Sequence, residues 1–197
     1  MKTLVLASGS AIRAQILRDA GVAFEADPAH VDEDEVKRAM RAAGATPREQ
    51  ADALAELKAL HVSRRRPGFV LGADQMLAIE GETLDKPKDR AEARAHLQRL
   101  RGRTHQLICA AVAAVEGAPV WRCIETPTLR MRNFSDAFLE AYLDRIGEAA
   151  TKSVGAYQLE GLGAQLFERV DGDYFSVLGL PLLPLLAFLR EHGVVQA

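Results

Sequence analysis

The chain has 197 residues, 48% of them apolar, with 25 basic side chains against 27 acidic ones and a net charge of −2. Near neutrality excludes a generic basic nucleic-acid binder and leaves room for a local basic pocket that takes one small anion. The length suits one ordinary domain or two small lobes, burying about 70% of the unfolded surface without disulfides or structural zinc.

Cys109 and Cys123 show no CxxC spacing and have no paired histidines nearby, which suits a reducing compartment. The N-terminus reads Met1-Lys2-Thr3-Leu4-Val5-Leu6-Ala7 before turning polar, and its apolar stretch is short of the about 7–15 residues of a signal-peptide core. Residues 178–189 are almost wholly apolar but number 12 and include Pro181 and Pro184, where a bilayer requires about 20. They read as a buried turn leading into a core helix. The expected setting is cytoplasmic, with neither membrane nor nucleic acid as a partner.

In chain order, residues 4–7 predict a strand covered on both faces, breaking into the polar turn Ser8-Gly9-Ser10. Ile12, Ile16, Leu17 and Ala20 then recur at helical spacing, with Gly21 as the stop. Strand, polar turn and helix aim the first helical N–H groups, Ser8, Ser10 and Arg13 at one place, a natural anion site. The same residues are equally explained if Ser10 merely caps the helix and Arg13 is solvated. Residues 32–60 turn from acidic to alanine-rich and helical. After Arg64-Arg65-Arg66-Pro67-Gly68, residues 69–73 predict a second buried strand, with Asp74 and Gln75 at its carboxyl end, where open α/β sheets place ligands. Glu80-Gly81-Glu82 is a tight turn, and residues 91–100 a helix with Ala93, Leu97 and Leu100 inward. Residues 104–115 and 120–131 predict a β-hairpin about the turn at 116–119. Residues 135–146 form a helix capped by Ser135, and the last helix runs from about 184 to 191. No repeat and no Pro-, Gly- or Ser-rich linker separates independent domains.

Two groups of residues carry chemistry. Glu33, Asp74 and Glu160 are acidic groups at strand or turn ends, suited to a hard divalent cation. Arg13, Lys86 and Lys88 are cations close to Gly or Pro, suited to phosphate. Together they describe a nucleotide or phosphoester site. The chain lacks GxxxxGK[ST] and GxSxG, and Gly161-Leu162-Gly163 lacks the rest of a dinucleotide fingerprint. The five histidines never pair at metal-ligand spacing, and bland surface or helix-end positions are expected for them.

The motifs Ser8-Gly9-Ser10-Ala11-Ile12-Arg13, Val31-Asp32-Glu33, Lys58-Ala59, Gly72-Ala73-Asp74-Gln75, Leu84-Asp85-Lys86-Pro87, Gly102-Arg103-Thr104-His105, Gly155-Ala156-Tyr157, Gly172-Asp173-Tyr174 and residues 177–182 follow one another in order. In this the chain resembles the Maf family of nucleoside triphosphate pyrophosphatases over essentially its whole length, as a single domain, residues 1–197. The resemblance implies a two-lobed α/β fold around a strongly curved mixed sheet flanked by helices, with a nucleotide cleft between the lobes. It implies hydrolysis of a nucleoside triphosphate to the monophosphate and pyrophosphate with Mg²⁺ or Mn²⁺. Asp74 is then the proton acceptor, and Arg13, Lys58 and Lys86 join it in catalysis. Ser8, Ser10, Arg13, Gln75 and Glu160 bind substrate, and Glu33 and Asp74 hold the metal. A homodimer is one open assembly.

Three departures stand out: Ile12 replaces the first of two paired arginines, Asp85 replaces the usual Gly before Lys-Pro, and Ser153 stands at the usual lysine position, with Lys152 one place away. Ala73-Asp74-Gln75 and Leu159-Glu160-Gly161 resemble the 7-methyl-GTP branch, where the dTTP/UTP branch has Ala-Asp-Thr and Ile-Gln-Gly. A carboxylate accepts well from the adjacent N–H donors of guanine, and N7 methylation adds positive charge. The alternatives are a dTTP/UTP or modified-pyrimidine pyrophosphatase, and a nucleotide-binding regulator of cell division with weak catalysis. Retention of Arg13, Glu33, Asp74 and Lys86 argues against the regulator.

Overall fold

Leu4, Val5 and Leu6 are all buried and form β1 (Leu4–Leu6), parallel to β2 (Phe24–Ala26) on one side and to β3 (Phe69–Ile79) on the other. The computed structural model describes residues 3–196. Met1 and Lys2, at the start of the N-terminal stretch read above, lie outside the described residues, as does Ala197. The remaining elements are α1 (Ala11–Asp19), α2 (Glu33–Ala42), α3 (Pro47–Ser63), β4 (Glu82–Leu84), α4 (Arg90–Leu100), β5 (Thr104–Val115), β6 (Ala118–Glu125), β7 (Thr128–Met131), α5 (Asp136–Ile146), β8 (Phe167–Asp171), α6 (Tyr174–Leu178) and α7 (Leu182–Glu191). Among the described residues the strands form one mixed α/β sheet of eight, ordered β2-β1-β3-β5-β7-β8, with β4 on β3 and β6 on β5.

The chain falls into two compact units. The first comprises residues up to Gln75, Cys109–Glu125 and the segment from Asp173 onward; the second comprises Met76–Ile108 and Thr126–Gly172. In the first, strand alternation divides the core. Leu4, Leu6, Phe69 and Leu71 pack with Ile16 and Leu17 of α1 and with Leu185, Phe188 and Leu189 of α7. Val5, Ala7 and Val70 pack with Val62 of α3. Both faces of β1 and of residues 69–73 of β3 are therefore covered, which is why these stretches read as apolar runs. Each fully buried Leu or Phe contributes about 1.5–3 kcal/mol.

In the second unit, β5 pairs with β7 over Thr104–Gln106 and β7 pairs with β8, both antiparallel. Helices α4 and α5 are tied by Arg90 and Arg94 to Glu140. Between α5 and β8 the chain makes short 3₁₀ turns, including Val154–Ala156.

Four expectations change. Phe24–Ala26 is a strand that the sequence pattern did not show. The helical stretch 32–60 is two helices, because Thr46 and Glu49 make a reciprocal capping box and Pro47 starts α3. The run 120–131 breaks at Thr126-Pro127 into β6 and β7, since proline has no N–H for a ladder. Finally, β3 runs on to Ile79, so Asp74 and Gln75 lie within the strand instead of at its end. β1, however, pairs with β3 only as far as Leu71, and Asp74 lies past the end of β1.

Candidate active site

The turn after β1 is built around Arg13. Ser10 is the N-cap of α1, its Oγ accepting from the Arg13 N–H at 3.4 Å, which satisfies one of the four donors a helix start leaves over. Ser8 Oγ accepts from the Ser10 N–H at 3.3 Å and from Arg13 Nη1 at 3.1 Å. Arg13 is not simply solvated: Nη1 also donates to the Ala73 carbonyl at 3.0 Å and Nε to the Gly179 carbonyl at 2.7 Å. Capping and a positioned guanidinium thus coexist. Ile12 packs against the core of this unit, so the residue at the absent arginine's position serves packing.

The second half of the site depends on how closely β3 lies against α3. A Cβ on Gly72 would stand 2.1 Å from the Ala55 carbonyl oxygen and 2.6 Å from the Ala59 nitrogen, so only glycine allows this approach. One helical turn carries Lys58 to the same crossing. Its Nζ lies 2.8 Å from Asp74 Oδ1, 2.9 Å from Glu33 Oε1 and 3.5 Å from the Ala73 carbonyl, which Arg13 also uses. Lys58 and Asp74 are each about 5% exposed, whereas the Glu33 side chain is 41% exposed. Asp74 Oδ2 is buried with no hydrogen-bond partner among the described residues.

Gln75 faces α6, where its Nε2 donates to the carbonyls of Ser176 and Val177, each at 3.0 Å. The donor half of its amide is therefore spent inside the protein, on carbonyls at a helix end. That helix closes at Gly179, whose φ of +107° favours glycine, and this turn presents the carbonyl that holds Arg13 Nε.

Among the described residues, Ser8, Ser10, Arg13, Glu33, Lys58, Asp74 and Gln75 all belong to the first unit. Lys86 and Glu160 belong to the second. Lys86 is exposed in the loop after β4, and Glu160 is exposed in the turn at 159–161, where its carboxylate makes no ion pair among the described residues. Near Glu160, Tyr157 and His105 form a buried pair that sequence spacing missed: His105 Nε2 and Tyr157 Oη are 2.8 Å apart, and His105 is 2% exposed. The expectation of a surface or helix-end position for His105 is corrected. It faces inward from β5, and burial pushes its pKa down to about 4. Tyr142 Oη donates to the Ala156 carbonyl at 3.1 Å, and Ser153 Oγ to the Tyr157 carbonyl at 2.6 Å. The departure at 153 thus serves a backbone contact. Burial raises both thiols, Cys109 to about 12 and Cys123 to about 11, so neither is a nucleophile.

The family model described as Maf-like protein matches residues 3–192. The chain belongs to the Maf family. Its relatives include the nucleoside triphosphate pyrophosphatases of Paramagnetospirillum magneticum (56% identical, over 96% of this chain and 98% of that one), Caulobacter vibrioides (53%, over 98% and 96%) and Maricaulis maris (52%, over the full length of both). One arrangement in this Maf chain bears on a divalent cation. Asp74 Oδ1 and Glu33 Oε1 converge on one cation, the Lys58 ammonium. Mg²⁺ takes one or two protein carboxylates and draws its other ligands from phosphate and water. The donor set fits such an ion, although the described residues hold no group of three or more His, Cys, Asp or Glu arranged for a metal. Among the described residues no helix is long and apolar enough to cross a membrane.

Proposed function

We propose that this Maf-family protein hydrolyses the bond between the α- and β-phosphates of a nucleoside triphosphate, releasing the monophosphate and pyrophosphate, with 7-methyl-GTP as substrate. The observation that carries the reading is the convergence of Lys58 with Asp74 and Glu33, and of Lys58 with Arg13 on the Ala73 carbonyl. Buried groups of both signs at one point suit a reaction that must hold a polyanion and accept a proton. The names of its relatives agree with the pyrophosphatase part of the reading and name no base.

A triphosphate brings about four negative charges that must be offset before water reaches the α-phosphorus. Arg13, Lys58 and Lys86 supply cations, and the first-turn N–H groups at Ala11 and Ile12 have no acceptor within their helix. Carbonyls hold Nε and Nη1 of Arg13, so the guanidinium is preorganised. In the ligand-free protein Lys58 holds Asp74 by Oδ1, and Oδ2, which has no partner among the described residues, is the oxygen that takes the proton of the attacking water. As that water bonds to the α-phosphorus, the bridging oxygen leaves with pyrophosphate. A divalent cation, Mg²⁺ or Mn²⁺, held by Glu33 and Asp74, would offset charge on the departing group.

For the base, support comes from Glu160: an exposed carboxylate without an ion pair among the described residues can accept from the N–H groups of guanine and favours the positive charge of an N7-methylated ring. The test is pyrophosphate release from 7-methyl-GTP, GTP, UTP and dTTP by purified protein with Mg²⁺ or Mn²⁺. Preference for 7-methyl-GTP is expected. Preference for UTP or dTTP would move the assignment to pyrimidines, and binding without release would favour a regulator.

A further inference from the structure

We infer that Lys58 is a resident counter-ion that keeps Glu33 and Asp74 from holding a divalent cation until phosphate arrives. The inference rests on the pyrophosphatase reading above and concerns the order in which the site fills. The Lys58 ammonium lies 2.8 Å from Asp74 Oδ1 and 2.9 Å from Glu33 Oε1, at the point where two carboxylate oxygens converge. A magnesium ion needs its oxygens at about 2.0–2.1 Å. An ammonium and a metal ion cannot both sit between the same two oxygens, so the metal enters there only if Lys58 leaves.

Charge balance opposes that exchange in the free protein. Glu33, Asp74, Lys58 and Arg13 carry two formal charges of each sign, and the two cations share the Ala73 carbonyl. The cluster is neutral, and a metal that displaced Lys58 would strand a buried ammonium on one carbonyl at 3.5 Å. Stranding a buried charge is costly. A triphosphate reverses the balance by giving Lys58 and Arg13 anionic acceptors and freeing both carboxylates for the metal. The partner most easily released is Glu33, whose side chain is 41% exposed against 7% for Asp74. Lys58 therefore makes metal retention conditional on nucleotide.

The test is calorimetric titration of the nucleotide-free protein with Mn²⁺ alone, comparing wild type with Lys58→Met. Removing the ammonium should tighten Mn²⁺ binding by at least about tenfold, and Mn²⁺ should raise the Tm of the variant more than that of wild type. Equal or weaker binding by the variant overturns the inference. Should Lys58→Met fail to fold, Mg²⁺ titration of wild type, followed through the ¹⁵N signal of the Lys58 ammonium, decides the matter. The signal should stay put with Mg²⁺ alone and shift when pyrophosphate is added with Mg²⁺; a shift of the same size with Mg²⁺ alone, or none with both, overturns the inference. Pyrophosphate release by wild type, measured separately, keeps the two claims apart: an active enzyme whose Lys58→Met variant binds Mn²⁺ no tighter loses only the role of Lys58.

Discussion

Acid should destabilise this protein through one buried side chain. His105 is 2% exposed, and its Nε2 faces Tyr157 Oη at 2.8 Å. Its Nδ1 is buried with no partner among the described residues, so a proton there would add an N–H with nothing to bond. Burial accordingly lowers its pKa from 6.5 to about 4. The native state binds this proton less readily than the unfolded chain, so the stability contributed by neutral His105 is complete above about pH 6.5 and is lost as pH falls toward about 4. At about 1.4 kcal/mol per pH unit the full loss is about 3 kcal/mol, of which about 2 kcal/mol falls between about pH 7.5 and pH 5. Urea unfolding of wild type and of His105→Gln, which keeps a neutral amide toward Tyr157, at those two pH values isolates the effect. Wild type should lose about 2 kcal/mol more than the variant. Parallel losses in the two proteins would refute the assignment of acid sensitivity to His105.

Three further outcomes are expected. Asp74→Asn should lower kcat by at least about 100-fold with an unchanged circular dichroism spectrum, because the amide cannot accept the proton at Oδ2; near-normal turnover would remove Asp74 as the base. Glu160→Gln should reduce kcat/KM for 7-methyl-GTP about tenfold more than for UTP, the worth of one hydrogen bond to a charged acceptor, and equal reductions would remove Glu160 from base recognition. Gly72→Ala puts a methyl 2.1 Å from the Ala55 carbonyl oxygen, which should cost about 3 kcal/mol or more and lower Tm by about 10 °C. A Tm within a degree or two of wild type would contradict the close approach of β3 to α3.

Much of the fold was legible because it is encoded over a few residues. The apolar run at 4–6, the caps Ser10 and Ser135, and the turn at 80–82 each specify their own element. What was missed has local causes too. β2 is only three residues long with a half-exposed pattern, leaving no periodicity to read, and the break between α2 and α3 rests on a capping box inside an otherwise helical stretch. The extension of β3 through Asp74 could not be seen, since an acid in a strand and an acid ending one look alike in sequence.

The sequence by itself determined the residue types of the site and, through its ordered motifs, the family. It could not say which charges meet. Lys58 lies 16 residues from Asp74, and Arg13 lies 166 residues from the Gly179 carbonyl that holds its Nε. Those meetings depend on glycine at 72 and alanine at 55 and 59 letting a strand and a helix close to backbone contact. Likewise, Gln75 read as a substrate contact, while its amide nitrogen is spent on the end of α6. His105 read as bland and proved to be buried against Tyr157. Periodicity and capping act along the chain, whereas partner choice, burial and the resulting pKa arise only where distant segments pack, and there the tertiary structure decided the chemistry.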